Sequence, residues 1–499
     1  MKYYLGIDNG GTLTKAALYT PEGKEIAVES VKTKSFSPRP GFTERDMVEM
    51  KEANYEVIRN LLQNTGVNPR EISGIACCGH GKGLYLWGKD GKPARPGIIS
   101  TDNRAWEYPL KWKNDGTADK VFEKTFQQIL PFQPVSLLAW LKDYEPDVME
   151  NIEWVFECKD YVRFCLTGEA YAELTDYSGA NLVNLNTRKY DSELLDYFGI
   201  PEIIDALPPL CSATDFCGSV NSETAERTGL AEGTPVVGGM FDIDACAVAV
   251  DVTSEDRICM IAGTWSINEY ISKKPVTDKS VMMNSIFCIP EYYLIEECSP
   301  TSAANFEWFV KKLLPEVDSA YKASDGWVSK IAADEFCPIF LPFLMASNAH
   351  PNAKASFIGL TNYHTRAHMI KSIYEGVAFS HRYHLERLLK ARTVPVESIR
   401  LAGGVANSRE WVQIFADVLG YPIEIVDIGE TGTLGCAMNV AVSLGDYGSF
   451  SEAAENMISI REAVHPIDEN VRIYNDRYKL YKTILESMDD IWEGMQELI

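Results

Sequence analysis

Short apolar runs parted by glycine-bearing polar turns open the chain. Lys2–Ile7 and Leu13–Tyr19 read as strands on either side of Asp8-Asn9-Gly10-Gly11-Thr12, and Glu25–Val31 reads as a third strand after the turn Pro21-Glu22-Gly23. Met47–Leu62 has helical spacing of its apolar positions and stops near Gly66. Ile72–Cys77, bounded by turn signals, reads as a buried strand. The opening is therefore β-β-β-α-β, a mixed α/β pattern.

The same device returns about 250 residues later. Arg257–Lys274 holds an apolar strand, the turn Gly263-Thr264 and a second alternating strand. Strands at Met283–Cys288 and Tyr292–Glu296, a helix over Ala367–Ala391 and a strand at Ile399–Ala402 follow. Two such starts predict two domains of similar topology, 1–250 and 251–499, parted in the polar stretch Val250–Asp256. Nucleotide loops of the Rossmann or P-loop kind lead from a strand into a helix. Here each glycine turn leads back into a strand. Turn N–H groups can hold phosphate oxygens without a helix, so two facing turns could grip a triphosphate from both sides.

A length of 499 residues exceeds one ordinary core, and 46% hydrophobic with 24% charged residues suits a globular enzyme. The net charge of −24, from 71 acidic and 47 basic residues, argues against nucleic-acid or anionic-membrane partners. Twelve scattered cysteines with no C-x-x-C pair predict buried, reduced thiols. With no cationic apolar leader and no bilayer-length apolar run, the expected location is cytoplasmic.

The turns carry candidate chemistry. Asp8 could reach a Mg²⁺ on phosphate oxygens or cap its own turn. Gly10 and Gly11 let phosphate approach the backbone, and Thr12, Thr14 and Lys15 offer donors. Gly263 and Thr264 form the second clamp. Asp242, after the strand that ends in Gly238-Gly239, could take a hydroxyl proton; its rival Asp244 reads as a helix cap. His80 and Lys82 share a glycine-rich loop, where Lys82 is either a polar substrate contact or a surface lysine. Asp102 and Arg104 read as a substrate contact or a local ion pair, and Phe241 as a pocket wall. Gly403, Gly404 and Asn407 sit in a tight turn before a helix near Ser408. His364, His381 and His384 have the spacing of packing or surface positions, not of a metal site.

Ala355-x-Phe357-x-Gly359-Leu360, then His368-Met369-x-x-Ser372-Ile373-Tyr374-Glu375, resembles the C-terminal signature of the FGGY carbohydrate kinases. An N-terminal signature is partly met by Pro134, Trp140 and Leu141, with Leu137 where many members have lysine. "PGFTERDM", "GKGLYLW" and "SPTSAANFEWF" resemble the branch that phosphorylates L-xylulose or 3-keto-L-gulonate. The resemblance implies two ribonuclease-H-like (actin-like ATPase) α/β domains around a central cleft and transfer of phosphate from ATP, with Mg²⁺, to a sugar. It assigns Asp242 as the base, Asp8 to the metal, Asp102 and Arg104 to the sugar, and Gly403, Gly404 and Asn407 to adenosine. A ketopentose such as L-xylulose is the expected acceptor; D-xylulose, L-ribulose, a polyol or a keto-acid are alternatives. A homodimer is implied by the same resemblance alone. An actin- or chaperone-like ATPase would share the turns but needs no base and no polar sugar loop.

Overall fold

The computed structural model describes residues 1–347 and 349–498. β1 (Tyr3–Asn9) pairs antiparallel with β2 (Leu13–Tyr19), and β2 with β3 (Glu25–Lys32). β1 runs past its apolar stretch, so Asp8 lies inside the strand opposite Lys15. β4 (Glu44–Arg45) leads into α1 (Met47–Thr65). Asp46 caps α1 by accepting from Val48 and Glu49 N–H, and Gly66, at φ 63°, ends it. β5 (Ile72–Gly79) lies parallel to β1, and β6 (Pro235–Val237) parallel to β5. Between β5 and β6 the chain builds a side layer whose core includes Trp112, Leu138 and Trp140. Leu137 is fully buried there on the helix Pro134–Tyr144 and does not reach the cleft.

α2 (Asp242–Ala249) ends the first half, and residues 250–256 lead to the second sheet. There β7 (Arg257–Ala262) pairs antiparallel with β8 (Ser266–Ser272). β9 (Met283–Ile286) and β10 (Tyr293–Ser299) extend the sheet on the β8 side. α3 (Ala304–Leu313) and α4 (Arg366–Ala391) precede β11 (Ser398–Ala402), which runs parallel to β7. α5 (Arg409–Leu419), β12 (Ile423–Val426), α6 (Thr431–Ser443) and β13 (Ile460–Val464) follow. Each sheet has seven strands and repeats one plan, an antiparallel hairpin followed by parallel strands on its inner side. This is the α/β architecture expected from the repeated hairpin.

The halves meet through α2 and α6. A Cβ on Gly435 of α6 would lie 2.2 Å from the Ala245 carbonyl oxygen of α2, and one on Gly6 of β1 would lie 2.2 Å from the Thr433 carbonyl oxygen. Only glycine permits such backbone contact. Asp244 corrects its expected role. It does not cap α2; its Oδ1 accepts from Cys288 N–H of the other half at 3.0 Å. The cysteines form no disulfide, and ten of the twelve are buried. His381 is buried among Ser266, Asn268 and Ser302, and His384 beside Glu297. Among the described residues no cluster of metal-ligating side chains occurs, and no helix is long and apolar enough to cross a membrane.

Candidate active site

The β1–β2 and β7–β8 turns face a common cleft. Gly10 N–H donates to Leu13 O at 3.0 Å and Gly263 N–H to Trp265 O at 3.1 Å, which closes both turns. A cavity of about 450 Å³ lies between them. Gly11, Thr12, His80, Lys82, Phe241, Asp242 and Thr264 line it, together with Glu296 of β10. A second cavity, of about 560 Å³, is lined by Gly263, Thr264, Gly404 and Asn407 and by aromatic rings of α3, α4 and α5. Thr264 is a wall of both. A donor in one cavity and an acceptor in the other would therefore meet at the turn.

The second cavity has an aromatic floor. Tyr374 and Trp411 stack with centroids 4.1 Å apart and planes 6° apart, and Phe306 stands edge-on to both. Trp411 Nε1 donates to Tyr374 O at 3.0 Å, while Asp325 accepts from Tyr374 and Ser408 hydroxyls at 2.9 and 2.6 Å. Such a flat, preset surface suits a planar base.

In the first cavity Asp242 opens α2 and keeps access to solvent. Its crowded surroundings, then the nearby Asp8 and Asp176 carboxyls, push its pKa well above the ordinary carboxylate range, with Lys82 opposing. That makes it a stronger base. Asp8 is pushed up to about 6, mainly by poor solvation, with Lys15 and Cys78 working against it. His80 is neutral, because burial and then Arg45 lower it to about 3; its Nε2 and the Tyr85 hydroxyl lie 2.8 Å apart. Lys82 sits at φ 61° with its ammonium 4.2 Å above the Phe241 ring and 3.9 Å from Glu296 Oε2. Burial disfavours that charge, but Glu296, Cys298, Glu157 and Asp176 outweigh it and hold its pKa above the usual lysine value.

Residues 3–249 match the N-terminal domain of the FGGY family of carbohydrate kinases, and residues 258–444 match its C-terminal domain. The chain belongs to the FGGY family of carbohydrate kinases. Members of this family transfer phosphate from ATP to a sugar. Among its relatives is the L-xylulose/3-keto-L-gulonate kinase of Escherichia coli, 36% identical over 99% of both chains. A probable L-xylulose kinase of Haemophilus influenzae is 35% identical over 98% of this chain and all of that one. A ligand-bound xylulose kinase from Lactobacillus acidophilus superposes with a TM-score of 0.90 at 25% identity, covering 98% of each chain. Plasmodium falciparum glycerol kinase with ADP shares the fold, with a TM-score of 0.86 at 19% identity and coverage of 98% of each chain.

Within this FGGY kinase several expected contacts lie elsewhere. Thr14 is fully buried, and its hydroxyl donates to Asn9 Oδ1 inside the sheet. Lys15 reaches across the halves to Glu430 at 2.6 Å and does not line the cavity. Asp102 and Arg104 are a buried ion pair at 2.8 Å, shared with Glu44 at 2.7 Å and stacked on Phe42. Asp102 also accepts from Thr43 N–H at 2.6 Å. The pair therefore props the cavity wall formed by Thr43, Ser100 and Thr101 without entering it. Gly10 and Gly403 line neither cavity. Trp265, whose place after the turn reads as packing, lines the cavity too, as do Glu296, Met282 and Met283, which no motif marks. The only signal for Glu296 was an acidic pair inside the apolar run Tyr293–Ser299.

Proposed function

We propose that this carbohydrate kinase phosphorylates the terminal hydroxyl of an uncharged open-chain ketopentose, with L-xylulose the foremost candidate. The sharing of Thr264 by the two cavities carries this reading. Adenosine lies on the Tyr374–Trp411 floor beside Gly404 and Asn407, and the phosphate tail passes Gly263 and Thr264 toward Gly11 and Thr12. The acceptor fills the first cavity, and residues 1–250 and 251–499 act as two lobes closing on both. Asp242 accepts the hydroxyl proton as that oxygen attacks the γ-phosphorus. Lys82 and His80 position the sugar, and Phe241 packs against its carbon face.

Asp8 fits a Mg²⁺ ligand. It is a poorly solvated carboxyl close to Asp242, the kind of acid whose charge a divalent cation would stabilise. The ion would neutralise phosphate charge when bound. The relatives named for L-xylulose support the choice of sugar. Between that ketose and a keto-acid, the pairing of Lys82 with Glu296 favours the neutral molecule. A substrate carboxylate would find the ammonium already matched and Asp242 in the same cavity.

The test is an ADP-release assay across ketopentoses of each configuration, keto-acids and polyols. A neutral ketopentose should give the highest kcat/KM. A polyol or keto-acid ahead of every ketose would refute the proposal.

A further inference from the structure

Beneath the first glycine turn lies a buried arginine without an acid. Arg45 of β4 is fully buried. Its Nη1 and Nη2 each donate to Gly10 O at 3.4 Å, and Nη2 also donates to Gly11 O. Among the described residues no carboxylate oxygen lies within 4.0 Å of its nitrogens, and its Nε has no partner. The other deeply buried arginines differ. Arg104 binds Glu44, Arg163 binds Asp160, and Arg400 binds Asp251 and Glu424. A buried cation lacking a counter-charge is unfavourable, which points to an anion supplied from outside the protein.

The peptide geometry says where that anion would sit. In a trans peptide the C=O and the next N–H point opposite ways, and no cis bond is present among the described residues. With the Gly10 and Gly11 carbonyls turned onto Arg45, the N–H groups of Gly11 and Thr12 turn away from it. Both residues line the first cavity, and neither N–H meets an acceptor among the described residues. Two peptide dipoles thus stand between the guanidinium and the cleft, their positive ends outward.

We propose that Arg45 is the positioning residue of the first phosphate turn: it orients and polarises the Gly11 and Thr12 N–H groups toward the terminal phosphates of the nucleotide, which become its counter-charge. This rests on the reading of that turn as a phosphate clamp.

Calorimetric titration of wild type, Arg45→Met and Arg45→Lys with AMP and with ATP, each with Mg²⁺ and without sugar, separates the two ideas. Wild type should bind ATP more tightly than AMP. Arg45→Met should bind ATP about tenfold or more weakly than wild type, yet AMP within about twofold, because adenosine sits in the other lobe. Arg45→Lys, which keeps the charge but loses the double donor, should fall between and still discriminates if Arg45→Met does not fold. A variant that keeps the full preference for ATP overturns the role of Arg45, as does an equal loss for both nucleotides. A wild type with no preference for ATP overturns the clamp itself.

Discussion

Replacing Gly403 with alanine tests whether the β7 end and the turn after β11 are one nucleotide-binding unit. Gly403 has φ 91° and ψ −172°, a region open essentially to glycine and costing other residues about 1–3 kcal/mol. An added Cβ would also lie 2.6 Å from Ala262 O, 2.7 Å from Ala262 C and 3.0 Å from Gly263 N. These are backbone atoms, so relief requires the end of β7, and Gly263 and Thr264 with it, to move by several tenths of an ångström. Backbone strain and contact together amount to roughly 2–3 kcal/mol, or about 30- to 150-fold in affinity. Calorimetry with a non-hydrolysable ATP analogue should show a loss of that size. Gly326→Ala, on the helix Ala320–Val328, is the control, because no atom lies within 4 Å of its Cβ and it lines neither cavity; it should cost less than about fivefold. Thermal unfolding checks that both variants stay folded. A Gly403→Ala protein that is folded and binds the analogue within twofold of wild type would refute the reasoning.

Other outcomes follow from the same geometry. Asp242→Asn should lower kcat by at least about a hundredfold while ATP-analogue affinity stays close to wild type; a mild loss of kcat would remove Asp242 from the chemistry. Glu296→Gln should raise the ratio of keto-acid to ketose kcat/KM by about tenfold, since opposite charges 3.9 Å apart attract by up to about 4 kcal/mol and solvent leaves only part of that. An unchanged ratio would show that the Lys82–Glu296 pair does not select substrate. Asp8 is held at about 6, above its unfolded value of 3.8, so its ionisation opposes folding once the pH rises past that lower value. Without metal, Asp8→Asn should therefore be more stable than wild type at pH 7, by on the order of 1–3 kcal/mol, and lose that advantage near pH 4. Melting curves at the two pH values decide it, and equal stability at pH 7 would contradict the crowding described at Asp8.

The fold was largely legible because its signals are local. Glycine turns between apolar runs announced both hairpins, and β1 ends at Asn9 rather than Ile7 because polar Asp8 and Asn9 continue the ladder. The cleft was less so. Asp102 and Arg104 have the composition of a sugar contact, yet Glu44 and the Phe42 ring, distant in sequence, capture them in the interior. Lys15 alternates with buried neighbours on β2, and pairing alone cannot tell whether it meets phosphate or the Glu430 of another lobe. Lys82 and Glu296 approach only when both sheets are in place, so no spacing rule could join them. Arg45 is the plainest case. As a sequence position it is a charge ahead of a helix, and its meaning arises from the two carbonyls folded onto it.

The main-chain contacts of Gly6 with Thr433 and of Gly435 with Ala245 also bear on motion. No side-chain layer separates these strands and helices, so nothing there can be squeezed or slid. Any opening of the cleft would turn about that line as about an axle. Asp8, two residues along from Gly6, and Asp242, at the start of the helix that carries Ala245, lie near the axle and keep their spacing. The two acids would thus stay in register through each turnover while the jaws part to release product.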